Sequence, residues 1–94
     1  MEVKHKDIGQ KGSFYIELKG DKVAEMTYSL AKPNTIIIDH TEVSESLKGQ
    51  GVGYKLVEEA VKYMRLKKLK VIPLCPFANA VFKKKRNDYA DVLK

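Results

Sequence analysis

Residues 48–53 read Lys-Gly-Gln-Gly-Val-Gly and stand between a β-branched run and a long amphipathic pattern. Glycine has no Cβ, so the main chain can turn tightly here and approach a ligand closely. The helix that should follow directs free N–H groups and a partial positive charge toward the same spot. The stretch therefore predicts a loop whose backbone amides bind a diphosphate, and hence an anionic cofactor.

Two familiar nucleotide-binding motifs do not fit this loop. A Walker-type loop closes with Gly-Lys-Ser/Thr, whereas Gly53 is followed by Tyr54 and Lys55, which place no hydroxyl to hold magnesium. A dinucleotide fingerprint requires glycine at position 54 and an acidic residue about 20 positions later. The apolar pair Val71-Ile72 stands there instead. Both motifs are excluded by the residues that follow the loop.

The residues before the loop predict a sheet. Apolar and polar residues alternate over 14–18 and again over 24–30, with Gly20-Asp21 between them, which indicates a hairpin. Residues 35–43 carry three consecutive isoleucines, as expected of a central strand covered on both faces. A short first strand is predicted within residues 3–10.

The residues after the loop predict two helices separated by a strand. Apolar residues recur at helical spacing over 52–64, and a short apolar strand follows at 70–74. The first helix is then a right-handed crossover, and its strand should lie parallel to residues 35–43. The second helix is predicted over residues 77–86. This order gives an α/β (α+β) fold, a mostly antiparallel sheet with one parallel strand pair.

Pro73 interrupts the hydrogen-bonding pattern of the predicted last strand, because proline has no N–H to donate. Two explanations are open at this stage. The strand either lies at the edge of the sheet, or it separates from its parallel neighbour to admit a ligand.

The loop and its surroundings resemble the GCN5-related N-acetyltransferases. Their acyl-CoA loop, Arg/Gln-x-x-Gly-x-Gly/Ala, follows a strand ending in valine and opens a helix. The match covers residues 43–53 and 55–57, with Lys48 where arginine or glutamine is usual. Residues 70–77 also resemble a very small subgroup of that family, which carries a Pro-Leu-Cys segment after its last strand. The resemblance spans about residues 14–89 and implies a truncated fold of this family.

The resemblance implies that the chain binds acetyl-CoA. Backbone amides of residues 48–53 would take the diphosphate, and main-chain groups of residues 41–43 would pair with the pantetheine arm like an extra strand. Asn79 matches an asparagine that contacts this arm in many members; alternatively it is a polar residue in the first turn of a helix. The predicted cofactor-binding residues are Thr41, Glu42, Val43, Lys48, Gly49, Gln50, Gly51, Val52, Gly53, Tyr54 and Asn79.

Acetyl transfer to an amine needs a group that receives the amine's proton. Strand alternation predicts that His40 and Glu42 share a face with buried Ile36 and Ile38 and approach the thioester. Either could be the general base, since imidazole titrates near neutral pH and partial burial favours the protonated form of a carboxylate. A β-bulge, common in the family at this place, would reverse the alternation beyond it and exclude one of the two. The alternatives are a solvated strand-end carboxylate and a hydrogen-bonded boundary histidine.

Cys75 is a third catalytic candidate, because a thiol between a strand end and a helix amino terminus can act as a nucleophile. An acetyl-cysteine intermediate would follow. Alternatively Cys75 fills a small buried space, and the amine attacks the thioester directly without any cysteine. A lone cysteine can form neither an internal disulfide nor a cysteine-rich zinc site, and no metal is expected.

Length and charge bound the other possibilities. The 94 residues predict one acyl-CoA-binding domain over residues 1–94, expected to be a monomer. No apolar run approaches the roughly 20 residues that span a bilayer, and no signal-peptide pattern begins the chain, so a cytoplasmic location is predicted. The net charge of +6 invites an anionic partner, which cofactor phosphates satisfy in part. Aromatic residues do not interleave with the lysines as a nucleic-acid stacking surface requires.

The predicted function is therefore acetyl-CoA-dependent N-acetyl transfer to an unidentified amine, possible with or without cysteine participation. The chain lacks residues for the helices and final hairpin that shape the acceptor pocket of larger acetyltransferases, so its acceptor side should be shallow. This truncation supports a second hypothesis, a non-catalytic acetyl-CoA-binding module. A third, a small basic RNA-binding domain, would leave the glycine loop without a purpose.

Overall fold

A computed structural model describes all residues, 1–94, as one five-stranded sheet with two α-helices packed on one face. No helix is both long and apolar enough to cross a bilayer. The strands are β1 (Lys4–Asp7), β2 (Lys11–Leu18), β3 (Asp21–Ala31), β4 (Thr35–Val43) and β5 (Lys70–Pro73). The helices are α1 (Val52–Lys67) and α2 (Pro76–Lys84), and a short 3-10 helix spans Glu45–Leu47.

The strands lie in the order β1-β2-β3-β4-β5. The first four pair antiparallel, whereas β4 and β5 pair in parallel and are connected through α1. The predicted fold class is confirmed, including the single parallel pair. The first strand is shorter than the predicted range, and α2 ends two residues before the predicted Arg86.

The core lies between the helices and one face of the sheet. The strands β2, β3 and β4 send alternate side chains into it, β5 adds Val71, and α1 contributes its apolar stripe at helical spacing. A fully buried aliphatic or aromatic side chain of this kind contributes about 1.5–3 kcal/mol relative to an exposed one. The largest fully buried side chains include Tyr28, Phe14, Phe82, Ile16, Met26, Ile36, Ile38, Leu56 and Met64.

The opposite face of the sheet, called here the open face, carries no helix. Ile36 and Ile38 are fully buried on the helix side, but Ile37 between them is partly exposed on the open face. The prediction that this central strand is covered on both faces is therefore wrong. Three isoleucines in a row satisfied the pattern of a doubly covered strand, while only two of them enter the core.

A β-bulge at Asp39 changes which side chains of β4 face the core. Ile38 lies opposite Tyr28, and His40 lies opposite Thr27, so Asp39 has no partner on β3. One extra residue reverses the alternation of the strand beyond it. The reversal puts Thr41 on the helix face.

The predicted orientation of His40 and Glu42 is consequently wrong. These residues lie opposite Thr27 and Glu25 on the open face, and both are exposed. Thr41 and Val43 take the helix-facing positions that the unbroken alternation predicted for His40 and Glu42. A bulge was expected to exclude one of the two general-base candidates. The observed bulge moves both of them to the open face.

Pro73 faces the outer edge of β5, the side away from β4. Lys70 N–H donates to Asn34 O in the turn before β4, and Leu74 N–H donates to Ile38 O of β4. Val71 N–H points the other way and donates to Val92 O at 2.7 Å. Pro73 follows Val71 by two residues, so its nitrogen also faces outward and no bond to β4 is lost. This favours the edge-strand explanation over separation caused by the proline.

Candidate functional site

A cavity of about 660 Å³ opens between the carboxyl end of β4 and the amino end of α1. It is called here the loop cavity. Its walls come from the strand end, the glycine loop and the start of α2. The lining residues are Thr41, Glu42, Val43, Leu47, Lys48, Gly49, Gly51, Val52, Gly53, Tyr54 and Phe77.

The glycine loop adopts a conformation that depends on glycine. Gly49 and Gly51 have φ angles of 81° and 71°, in the left-handed region that disfavours other side chains. Gly51 is also the N-cap of α1, and no side chain caps this helix. No acidic residue stands in its first turn. The free N–H groups of that turn therefore have no side-chain acceptor, and residues of the turn line the loop cavity.

A close approach between helices forms one wall of the loop cavity. A Cβ added to Gly53 would lie 2.5 Å from the Phe77 ring, so only glycine lets α2 come this near to α1. The Tyr54 ring meets Phe77 edge-on, with 5.9 Å between ring centroids. The wall is aromatic, while the facing loop offers main-chain N–H groups.

The strand side of the loop cavity lies where β4 and β5 separate. Ile38 O accepts from both Leu74 N, at 3.0 Å, and Cys75 N, at 3.2 Å. The chain then turns into α2, so β4 has no strand neighbour on this side beyond Ile38. Residues 41–43 therefore present a free strand edge to the loop cavity.

Cys75 lies at the start of α2, where β4 and β5 have separated. The residue is 5% exposed, and its thiol forms the N-cap of α2, accepting from Ala78 N at 3.3 Å. Its Sγ also lies 3.3 Å from Thr41 Oγ1. Thr41, which lines the loop cavity, thus also contacts the thiol, whereas Cys75 itself is not part of the lining.

Two predicted cofactor-binding residues do not line the loop cavity. Asn79 Nδ2 donates to Pro73 O at 3.2 Å and holds the end of β5. Gln50 Nε2 donates to Ser46 O at 3.3 Å within the loop. Lys48 does line the cavity, with its ammonium 2.8 Å from the exposed Glu45 carboxylate. The remaining predicted cofactor residues all belong to the lining.

The three catalytic candidates lie on two sides of β4. Cys75 is on the helix side beneath Thr41, whereas His40 borders a second cavity on the open face. Glu42 is exposed and reaches the rim of the loop cavity. No arrangement of the three as one hydrogen-bonded group exists, and their catalytic roles stay predictions.

Residues 13–92 match the GCN5-related N-acetyl-transferase family. The chain belongs to this family. A comparison with curated proteins gives no match.

Solved structures of the family share the fold of this GCN5-related chain. A GCN5-like protein from Staphylococcus aureus is 37% identical, with a TM-score of 0.72, and the alignment covers 97% of this chain and 87% of that one. Tetrahymena GCN5 is 18% identical, with a TM-score of 0.68, over 81% of this chain and 50% of its own. A GNAT family acetyltransferase from Elizabethkingia anophelis with acetyl-CoA bound is 14% identical, with a TM-score of 0.65, over 82% and 53%.

Sequence reasoning missed two residues of the loop cavity, Leu47 and Phe77. Phe77 was expected only as a buried residue of the second helix, yet its ring forms the cavity wall against Gly53. A usable signal was present, because glycine inside a helical pattern often marks a close approach of another element. Leu47 carried no such signal.

Proposed function

We propose that this chain binds acetyl-CoA in the loop cavity and transfers the acetyl group to an amine, with residues 1–94 acting as one domain. One observation supports the proposal most strongly: three features that suit this cofactor meet at the same cavity. An uncapped helix amino terminus, a left-handed glycine loop and a free strand edge all open onto one cavity. The acetyl-CoA bound by the Elizabethkingia protein of the same fold supports this choice of cofactor.

The glycine loop is the proposed diphosphate site. N–H groups in the first turn of α1 are free to donate to phosphate oxygens, and the helix dipole favours negative charge there. An acidic side chain in this turn would compete with the phosphates, and none is present. The Lys48 ammonium also lies at the cavity wall, where it is paired with the exposed Glu45 carboxylate at 2.8 Å.

The free edge of β4 is the proposed pantetheine site. The arm contains two amide groups, which can pair with main-chain groups of residues 41–43 as an added strand would. Leu47 and Phe77 offer apolar surface to its methylene and methyl groups. This placement directs the thioester toward Thr41 and the gap between β4 and β5.

Acetyl transfer then requires one bond to form and one to break. The free amine attacks the thioester carbonyl, the C–N bond forms, the C–S bond breaks, and the CoA thiolate takes a proton. His40 or Glu42 would accept the proton that the amine loses. In a cysteine relay, Cys75 Sγ would attack first, passing its proton to the CoA thiolate and holding the acetyl group as a thioester.

Titration of labelled protein with acetyl-CoA tests the cofactor site. Amide resonances of Gly49, Gly51 and Gly53 should shift strongly, and adenosine diphosphate alone should shift the same loop without affecting residues 41–43. Loop resonances unmoved at saturating cofactor would refute the binding site.

An assay of CoA release distinguishes an acetyltransferase from a non-catalytic acetyl-CoA-binding module. Release of CoA should depend on an added amine, and Cys75→Ala should abolish it only if the cysteine relay operates. Mass spectrometry of protein incubated with acetyl-CoA alone would then detect an acetyl group on Cys75. Tight cofactor binding without CoA release on any amine would favour the non-catalytic module.

A further inference from the structure

A second cavity, of about 600 Å³, lies on the open face of the sheet. It is called here the open-face cavity. In contrast to the loop cavity, its walls are largely polar and come from four neighbouring strands. Its lining includes Lys6, Lys11, Ser13, Thr27, Asp39 and His40.

Four of these residues form one row across the sheet. Lys6 lies opposite Ser13, Ser13 opposite Thr27, and Thr27 opposite His40. Neighbouring strands are about 4.8 Å apart, so the row extends about 14 Å from β1 to β4. A small molecule lying along it would contact several strands at once.

The charges of the open-face cavity are separated along this row. Lys22 is paired with Glu25 at 3.0 Å, whereas Lys6, Lys11 and Asp39 form no ion pair. Two free ammonium groups therefore stand on β1 and β2, and one free carboxylate stands at the bulge of β4. This arrangement is complementary to a molecule with a positive and a negative end.

The bulge connects the open-face cavity with the proposed thioester site. Asp39 and His40 line the open-face cavity, and the next residue, Thr41, lines the loop cavity. β4 and β5 are separate beyond Ile38, so no strand closes the gap between the two faces here. An amine held beside His40 is one residue away from the strand segment proposed to hold the cofactor arm.

We infer that the open-face cavity is the acceptor site, and that it selects a primary amine carrying an anionic group several bonds away. The inference rests on the proposed acetyl transfer. Asp39 attracts the ammonium end, and His40 accepts its proton to give the free amine. The nitrogen then forms the C–N bond as the C–S bond breaks, and its remaining extra proton passes to the CoA thiolate. Lys6 and Lys11 bind the anionic end.

The spacing favours long acceptors. Lys11 stands on β2, two strand spacings or about 10 Å from β4 at the backbone. An α-amino acid, whose amine and carboxylate share one carbon, contacts both ends only if the lysine side chain leans toward β4. A linear ω-amino acid or an aminoalkyl phosphate reaches both ends with the lysine side chain perpendicular to the sheet.

Amines of equal length but different end charge test the inference. The probes are ε-aminocaproate, aminohexyl phosphate, hexylamine and hexamethylenediamine, with glycine as the short probe. We expect kcat/KM to be about tenfold higher for the two anionic amines than for hexylamine, and lowest for the diamine. The ratio between the carboxylate and the phosphate probe identifies the preferred anion.

Substitutions test whether the preference for anionic amines arises from Lys6 and Lys11. Lys6→Gln with Lys11→Gln should remove most of the preference for anionic amines by raising their KM about three- to tenfold, with little change in kcat. The double variant Lys67→Gln with Lys83→Gln removes the same charge from exposed helix positions and should keep the preference. Equal loss in both double variants would overturn the inference.

A binding readout separates this inference from the proposed function. Labelled protein, alone and saturated with CoA, is titrated with ε-aminocaproate. Shifts confined to the amides of Lys6, Lys11, Asp39 and His40 support the acceptor site, whether or not acetyl-CoA binds. No shifts there, or equal rates for charged and uncharged amines, overturn it, even if shifts of the glycine loop establish cofactor binding.

Discussion

The two edges of the sheet are strands of equal length with opposite surroundings. β1 and β5 each have four residues, yet all four of β1 are exposed, whereas Val71 of β5 is 1% exposed. The outer side of β5 is covered as well, because Val71 bonds to Val92 and Lys94 in the chain's last residues. Arg65 ties that segment to α1 through Asp91, at 2.9 Å.

Beyond its pairing with β2, β1 is attached to the core through the side chain of His5. The His5 ring stacks on Phe14 with centroids 4.2 Å apart, and its Nε2 lies 2.6 Å from the Tyr28 hydroxyl. The anchored edge of the sheet is thus β5, beside the loop cavity, which is held in the core. The far edge is β1, which is attached by the cluster of His5 with Phe14 and Tyr28. A rigid gap between β4 and β5 is what a cofactor arm requires, because preorganised sites lose less entropy on binding.

Truncation of Val71 is expected to cause the largest loss of stability among the variants that compare the two edges. Val71→Ala removes buried methyl groups from the anchored edge and should lower the free energy of unfolding by about 2 kcal/mol. Lys6→Ala, on exposed β1, should change it by less than about 0.5 kcal/mol. Urea unfolding of both variants measures the difference. Similar losses would mean that the two edges are equally anchored.

Enlargement of Gly53, which also lies beside the loop cavity, should have the second-largest effect. In Gly53→Ala the new methyl would meet the Phe77 ring, which must move toward the loop cavity. Overpacking of this kind costs about 1–3 kcal/mol, and we expect weaker acetyl-CoA binding along with it. The double variant Gly53→Ala with Phe77→Leu should recover part of the binding. Unchanged cofactor affinity in Gly53→Ala would show that Phe77 does not shape the site.

The anchored edge was largely predictable from the sequence, and so was the glycine loop. Alternation gave the strands, helical periodicity gave α1, and the crossover rule gave the parallel pairing of β5. The loop followed from residues 48–53 because glycine spacing acts locally. These features depend on short-range pattern and chain connectivity, which a single sequence records.

The bulge at Asp39 could not be located in this way. The run Ile-Ile-Ile-Asp-His is compatible with either face for each residue, and the register is fixed by pairing with β3. The positions of His40 and Glu42 depend on that register and were predicted wrongly for this reason. The Phe77 contact likewise depends on how α2 packs against α1, which no local pattern encodes.

A pH-dependent change at the far edge is the smallest expected effect. Burial lowers the pKa of His5 from its usual value of 6.5, and the nearby Asp7 opposes this only in part. The unfolded chain therefore takes up this proton first as the pH falls. Stability should decline below about pH 6.5 and level off once folded His5 is also protonated. The partly exposed ring limits the loss to less than about 1 kcal/mol.

His5→Gln isolates this contribution from that of the other histidine, His40. The variant keeps a polar side chain but cannot titrate, so its unfolding free energy should fall less than that of the unchanged chain between neutral pH and the plateau. The protection factors of the β1 amides, which are corrected for the intrinsic pH dependence of exchange, should fall over the same pH range in the unchanged chain, while Val71 stays protected, because only β1 depends on neutral His5. An equal fall in protection at both edges would mean that His5 protonation loosens the whole sheet, and the contrast between its two edges would not hold.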